Sequence, residues 1–211
     1  HISPMVYSIL AHRGYFPVAE LATFRRLGTR LQGHPTTAEG LPGVRVASGS
    51  LGQGLSVAVG VAQAKKLAND NHLVYVLMGD GEQEEGQIWE AAMYAPAKNV
   101  DNIVAIVDYN KKQIDGPTDD VLSLGDLRAK YESFGWKVWE CNGNDMQELV
   151  DTFNKIRENA HKGQSQILLD NTEMGMGVDF MMGTHKWHGV APNDEQAANA
   201  LSQLKETLGD Y

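Results

Sequence analysis

The apolar residues of this 211-residue chain follow two patterns: short unbroken runs, and longer stretches at helical spacing. Runs rich in Val, Leu, Ile and Tyr at Leu73–Met78 and Ile103–Val107, closed by Gly79 and by Asp108-Tyr109-Asn110, predict buried strands. Trp136–Glu140 and Gln166–Leu169 predict a third and a fourth. Between the runs the period changes. Ile88, Ala91, Ala92 and Ala95 share one helical face, Glu82, Glu84 and Glu85 lie near its start, where carboxylates suit the dipole, and Pro96 and Asn99 mark its end. Leu127 with Tyr131, and Leu149 with Phe153 and Ile156, predict helices over 124–134 and 145–160. Upstream, the spacing predicts helices at Pro4–His12, with Met5, Ile9 and His12 on one face, and at Val18–Leu27. Leu55–Ala68 reads as a helix buried on most sides, and Pro192-Asn193-Asp194 caps a last helix, Glu195–Leu208. This alternation predicts an α/β fold: a doubly wound, mostly parallel sheet with helices on both faces, built as a single domain over residues 1–211.

One crossover places chemistry. Parallel strands joined by a right-handed connection end on the same sheet edge, and open α/β sheets bind ligands there. Asp80 follows the first strand and Asn110 the second. The fold therefore brings together a carboxylate and an amide oxygen that lie thirty residues apart in sequence. Such a partial oxygen shell suits Mg²⁺, which keeps few protein ligands and completes its octahedron with phosphate oxygens and water. Gly79 and Gly81 flank Asp80 and let backbone N–H groups approach a phosphate beside a helix start. The sequence thus predicts a site for a metal-bound diphosphate.

Composition narrows the partners. A net charge of −9 argues against a general nucleic-acid surface, while a metal would still allow a diphosphate ligand. No apolar run is long enough to span a membrane. The single cysteine, Cys141, excludes an intrachain disulfide and fits a reducing cytoplasm. It reads as a small core residue.

Three further loops carry candidate groups. Gln32-Gly33-His34-Pro35 presents a histidine that Pro35 biases towards an extended backbone. Ser48-Gly49-Ser50-Leu51-Gly52-Gln53-Gly54 is glycine-rich and opens a helix, but it lacks the P-loop lysine and the dinucleotide spacing. Read alone, it is either a phosphate cradle or a turn. Residues 172–189 hold too many glycines for a helix and read as a mobile loop over the sheet edge. Its His185 and His188 lack the further ligands of a zinc site.

Gly79-Asp80-Gly81, the following helix and Asn110 resemble the thiamine-diphosphate (ThDP) motif. The wording GDGEQEEGQIWEAA, followed by YNKKQIDG, resembles transketolase, particularly its split form made of two polypeptides. The resemblance covers the chain from His1 to Gly209. It implies ThDP with Mg²⁺ (Ca²⁺ or Mn²⁺ as substitutes), held by Asp80, Asn110 and the backbone carbonyl of Lys112. Gly49 and Leu51 would contact the cofactor. His34 and His185 would bind substrate oxygens and assist proton transfer, with His185 also near the diphosphate, and His1 would contact diphosphate or substrate. Glu85, and after it Glu90, would join a carboxylate network at a subunit interface.

The same resemblance implies an inactive half-enzyme. It would transfer a two-carbon ketol unit between sugar phosphates only with a carboxyl-terminal, pyrimidine-binding subunit, in the cytoplasm and within an α2β2 assembly. Family members carry several dozen residues ahead of the position of His1, including a helix and a Gly-His-Pro motif. Two alternatives stay open: another ThDP enzyme subunit, of the 2-oxo-acid dehydrogenase type or a transketolase for an unusual sugar, and a non-catalytic scaffold that binds a metal–diphosphate.

Overall fold

The computed structural model describes residues 2–205. They fall into two compact units, divided after Gln53.

In the first unit, helix α1 (Ser3–His12) buries Ser3, Tyr7 and Ala11. Met5 and Ile9 lie on the exposed side, so the face that the spacing picks out is the solvent face in this chain. Polar bonds decide the orientation. Ser3 Oγ donates to Gly33 O at 2.6 Å and Tyr7 OH to Gln32 O at 2.9 Å, which ties the helix to the loop just before His34. Tyr7, Ala11, Phe16, Leu31 and Leu41 form a small core. The helix expected over Val18–Leu27 is a 3₁₀ segment, Val18–Thr23, after which Arg25 turns left-handed (φ 58). Leu27, which a longer amphipathic helix would bury, is fully exposed.

The second unit holds the sheet. Helix α2 (Gln53–Leu67) leads to strand β1 (Val74–Gly79), a 3₁₀ turn (Gly81–Glu84) and helix α3 (Gly86–Ala97). Strand β2 (Ile103–Tyr109) precedes a small hairpin, β3 (Lys112–Gln113) with β4 (Gly116–Pro117). Then come α4 (Thr118–Leu122), α5 (Leu127–Ser133), β5 (Lys137–Asn142), α6 (Met146–Glu158), β6 (Gln166–Asn171) and α7 (Asp194–Gln203). The main sheet runs β1-β2-β6-β5 with every neighbouring pair parallel. Side chains alternate across it. Ile103, Ala105, Val107, Ile167 and Leu169 pack with α2, α3 and α5, whereas Val104, Cys141 and Leu168 pack with Ile156 of α6. Helices therefore cover both faces, as the alternation of runs and helical stretches predicts.

Two expectations change. The helix α2 buries only Leu55, Ala58, Val59 and Ala62, since one face alone meets the sheet; Val57 and Val61 are exposed. Pro96 lies inside α3, which ends at Ala97 before left-handed Asn99. A proline in the last turn removes only one backbone bond. At the far end, Asn193 and Gln196 form a reciprocal capping box that starts α7, as expected. Residues 206–208 of the predicted last helix lie outside the described residues.

Candidate active site

The register pairs Gly79 with Asp108, so β1 and β2 end side by side. Asp80 and the 110–112 segment emerge together from this edge. Asp80 is 2% exposed, and its Oδ1 accepts from Gly81 N at 2.7 Å. Its Oδ2 accepts from Lys111 N, joining the end of β1 directly to the residue after Asn110. Asn110 Oδ1 accepts from Lys112 N at 2.9 Å. Lys111 is left-handed (φ 61) and its carbonyl accepts from Thr118 N at 3.1 Å, which fixes the bend into β3. Gly81 is closely overlain: a Cβ there would lie 3.1 Å from Gln113 Cβ.

Behind the turn stands Gln83, fully buried. It donates to Gly79 O at 3.1 Å and accepts from Tyr131 OH of α5 at 2.6 Å. A buried amide thus holds the backbone just ahead of Asp80 from the helix layer.

Burial pushes the Asp80 carboxyl up to about 6; the N–H groups of Lys111 and Gly81 oppose this and the neighbouring Asp108 adds to it. Among the described residues, no Lys or Arg forms an ion pair with Asp80. The adjacent lysines turn elsewhere. Lys111 Nζ lies 5.5 Å from the Tyr109 ring centroid, and Lys112 Nζ pairs with Glu173 at 3.1 Å. A buried carboxylate with no cationic partner among the described residues, bonded to the segment that carries the Asn110 amide, fits a hard divalent cation bound through oxygen. Among the described residues no cluster of three His, Cys, Asp or Glu side chains offers a metal site of another kind.

The remaining candidates separate by unit. In the first, Gly49 (φ +97) lies against the ring of His34: a Cβ on it would sit 2.6 Å from His34 Cγ. Ser48 N donates to Pro35 O at 3.0 Å, so the two loops run together. His34 is exposed, and Leu51, two residues beyond Gly49, is half-buried. His1 lies outside the described residues. In the second unit, Glu85 is the exposed N-cap residue of α3 with no side-chain capping bond, and Glu90 is exposed on the same helix.

His185 is half-buried and shares a turn with His188, whose N–H donates to His185 O at 2.9 Å. Side chains hold this segment, read from sequence as a mobile loop, at several points. Trp187 Nε1 donates to Phe180 O at 2.9 Å, Asp179 and Gln203 exchange two bonds, and Gly183 N donates to Glu173 Oε1 at 2.8 Å.

A cavity of about 870 Å³ opens at the carboxyl ends of β2, β5 and β6, with Asn110, Lys112, Asn142, Asn144, Asn171 and Glu173 in its walls. Beside it Thr172 Oγ1 donates to Asp108. Cys141 Sγ donates to Asp170 Oδ1 at 3.3 Å, and burial pushes the thiol up to about 12. Cys141 is therefore a protonated packing residue and not a nucleophile. Sequence reasoning missed Gln83 and Glu173. Gln83 sits amid glutamates that read as a solvated helix start, and Glu173 is a lone charge in a glycine- and methionine-rich stretch with no informative spacing.

A parallel α/β domain that presents an oxygen-lined, glycine-flanked turn at its carboxyl edge defines the class: a nucleotide- or diphosphate-type binding fold. The family described as transketolase, thiamine diphosphate binding domain, matches residues 1–209, and the chain belongs to it. One of the subunits of the apulose-4-phosphate transketolase of Phocaeicola vulgatus is 40% identical over 208 residues, 99% of this chain and 73% of that protein. The 6-deoxy-6-sulfo-D-fructose transketolase subunit of a Clostridium species is 37% identical, over 98% of this chain and 74% of its own length. Among solved structures, Pichia stipitis transketolase in complex with sedoheptulose 7-phosphate superimposes with a TM-score of 0.85 at 29% identity, over 93% of this chain. Campylobacter jejuni transketolase gives a TM-score of 0.80 at 30% identity, over 88% of this chain. The chain spans 30% of the first of these solved chains and 29% of the second. These relatives and solved structures are transketolases. Among the described residues no helix is long and apolar enough to cross a membrane.

Proposed function

We propose that this chain is the diphosphate-binding subunit of a split transketolase, transferring a two-carbon ketol unit from a ketose donor to an aldose acceptor with ThDP and Mg²⁺. The observation that carries the reading is the buried Asp80 carboxylate, bonded to the segment after Asn110 and lacking an ion pair among the described residues, in a chain matched to the family's ThDP-binding domain over residues 1–209. That single match also supports treating both compact units as one functional domain.

Asp80, Asn110 and the Lys112 carbonyl would hold the metal, and the N–H groups around Gly79 and Gly81 would face the diphosphate. The cofactor supplies the carbon nucleophile and electron sink of the transfer when bound. Gly49 and Leu51 would line its middle and pyrimidine. His34 and His185 would bind sugar oxygens and pass protons, as neutral imidazoles near physiological pH can. His1 would join them, and Glu85 and Glu90 would meet a neighbouring subunit. The pyrimidine-binding partner would supply the activating glutamate, in an α2β2 assembly. The lone buried thiol supports a cytoplasmic setting.

The names of the two relatives favour one refinement, a donor outside the usual pentose phosphates. The test is to mix the chain with its candidate carboxyl-terminal subunit, Mg²⁺ and ThDP, and to assay transfer to ribose 5-phosphate. Xylulose 5-phosphate, apulose 4-phosphate and 6-deoxy-6-sulfofructose would serve as donors, with each polypeptide by itself and Asp80→Ala as controls. Activity is expected only in the mixture and lost in Asp80→Ala. A stable complex that binds no ThDP would overturn the reading and leave the scaffold alternative.

A further inference from the structure

One charged residue outside the expected site joins three separate segments around it, two through its side chain and one through its backbone. Glu173 Oε1 accepts from Lys112 Nζ at 3.1 Å and from Gly183 N at 2.8 Å, so a single oxygen receives both bonds. The Glu173 backbone N–H donates to Asn144 Oδ1 at 2.7 Å, in the turn between β5 and α6. The Lys112 side chain is only 17% exposed, so this pair is screened less than a surface pair. Lys112 is the residue whose carbonyl would hold the metal under the proposed function, and Gly183 lies two residues before His185. The loop from Glu173 to Gly183 contains left-handed Gly175 and Gly177, and Gly183 is left-handed as well; the carboxylate closes it.

We propose that Glu173 is a positioning residue, setting the metal-ligand segment at Lys112 and the His185 loop in register with each other. The proposal rests on the function given above. Its physical content is that one acceptor bonds two segments, so losing it loosens both, whereas losing the lysine loosens one. A partner of a ligand segment of this sort typically changes metal affinity or activity by about 10–100-fold.

The test compares Glu173→Ala, Glu173→Gln and Lys112→Met in the full chain with its partner, Mg²⁺ and ThDP. Hydrogen exchange over residues 110–118 and 174–189 is read together with Mg²⁺–ThDP affinity, KM and kcat. Glu173→Ala is expected to raise exchange in both segments, to weaken Mg²⁺–ThDP binding by about 10-fold and to raise donor KM more than it lowers kcat. Glu173→Gln keeps the oxygen that accepts from Gly183 N but loses the charge that pairs with Lys112, so the 174–189 segment should stay protected while 110–118 loosens. Lys112→Met retains its carbonyl and should match Glu173→Gln, and the double variant should be no worse than either single one, the mark of a shared interaction. A Glu173→Ala variant with a lowered melting temperature but unchanged exchange, affinity and KM would overturn the proposal and leave an ordinary stabilising pair. If the unmodified chain binds no ThDP, the functional reading fails instead. The exchange pattern of the three variants then decides this link by itself, both segments responding or neither.

Discussion

At the residue scale, the chemistry concentrates on Asp80. Its folded carboxyl, pushed up to about 6 by burial, holds its proton more tightly than an unfolded aspartate, near 3.9. The sign follows from linkage: this group's contribution to stability is complete below about pH 4 and is lost as pH rises through about 6. Metal binding needs the ionised form and so moves the other way. Thermal melts at pH 5 and pH 7.5 should therefore show the metal-free chain losing stability at the higher pH relative to an Asp80→Asn variant. Mg²⁺ with ThDP should restore it only at the higher pH. An identical pH response in the two chains would contradict the burial of an unpaired carboxyl. That Asp80 and the segment after Asn110 meet was legible, because glycines and strand ends mark them. Gly49, expected as a cofactor contact, has a left-handed backbone and lies against the His34 ring, which leaves room for no side chain. Glu173 was illegible, because its three partners lie ten to sixty-one residues away with no period connecting them.

At the element scale, what the sequence revealed follows from what each element buries. The central strands were legible because continuous apolar runs suit burial on both faces, as in β2 and β6, whereas β1, also predicted to be buried, is an edge strand with Tyr75 and Leu77 exposed. The helix α1 was legible as a helix but not in its orientation, since hydroxyl bonds from Ser3 and Tyr7 outweigh two exposed apolar residues. The 3₁₀ turn after Asp80 hid a second device, Gln83 held between Gly79 O and Tyr131 OH. Removing that hydroxyl in Tyr131→Phe leaves a buried amide oxygen without its donor. The expected cost is about 1–3 kcal/mol of unfolding free energy, measured by denaturant titration, with weaker Mg²⁺–ThDP binding because the turn loses its support. Unchanged stability and binding would mean that the helix layer does not support the turn.

At the scale of the whole molecule, the sheet unit leaves apolar groups uncovered: Val57 and Val61 on α2, Met93 and Tyr94 on α3, Tyr75 and Leu77 on β1. Exposed single apolar residues are ordinary, but their recurrence on α2, α3 and β1 suits a chain that assembles with others. Charged substitutions on α2, Val57→Asp with Val61→Asp, should weaken association with the carboxyl-terminal subunit or with a second copy, read by sedimentation. The melting temperature of the isolated polypeptide should hardly change, because surface substitutions of this kind shift stability by about 0.5 kcal/mol or less. An unaltered assembly would place the interface elsewhere. None of this was visible in the helix's composition, which reads as buried on most sides because small apolar residues carry no mark of which face meets the sheet.

The oxygens of Asp80 and Asn110 are already in the grip of three backbone amides, those of Gly81, Lys111 and Lys112. Both side chains are thus aimed by their own backbone, so under the proposed function the ligand set would be arranged by the fold itself, unlike small zinc domains that fold only around their metal.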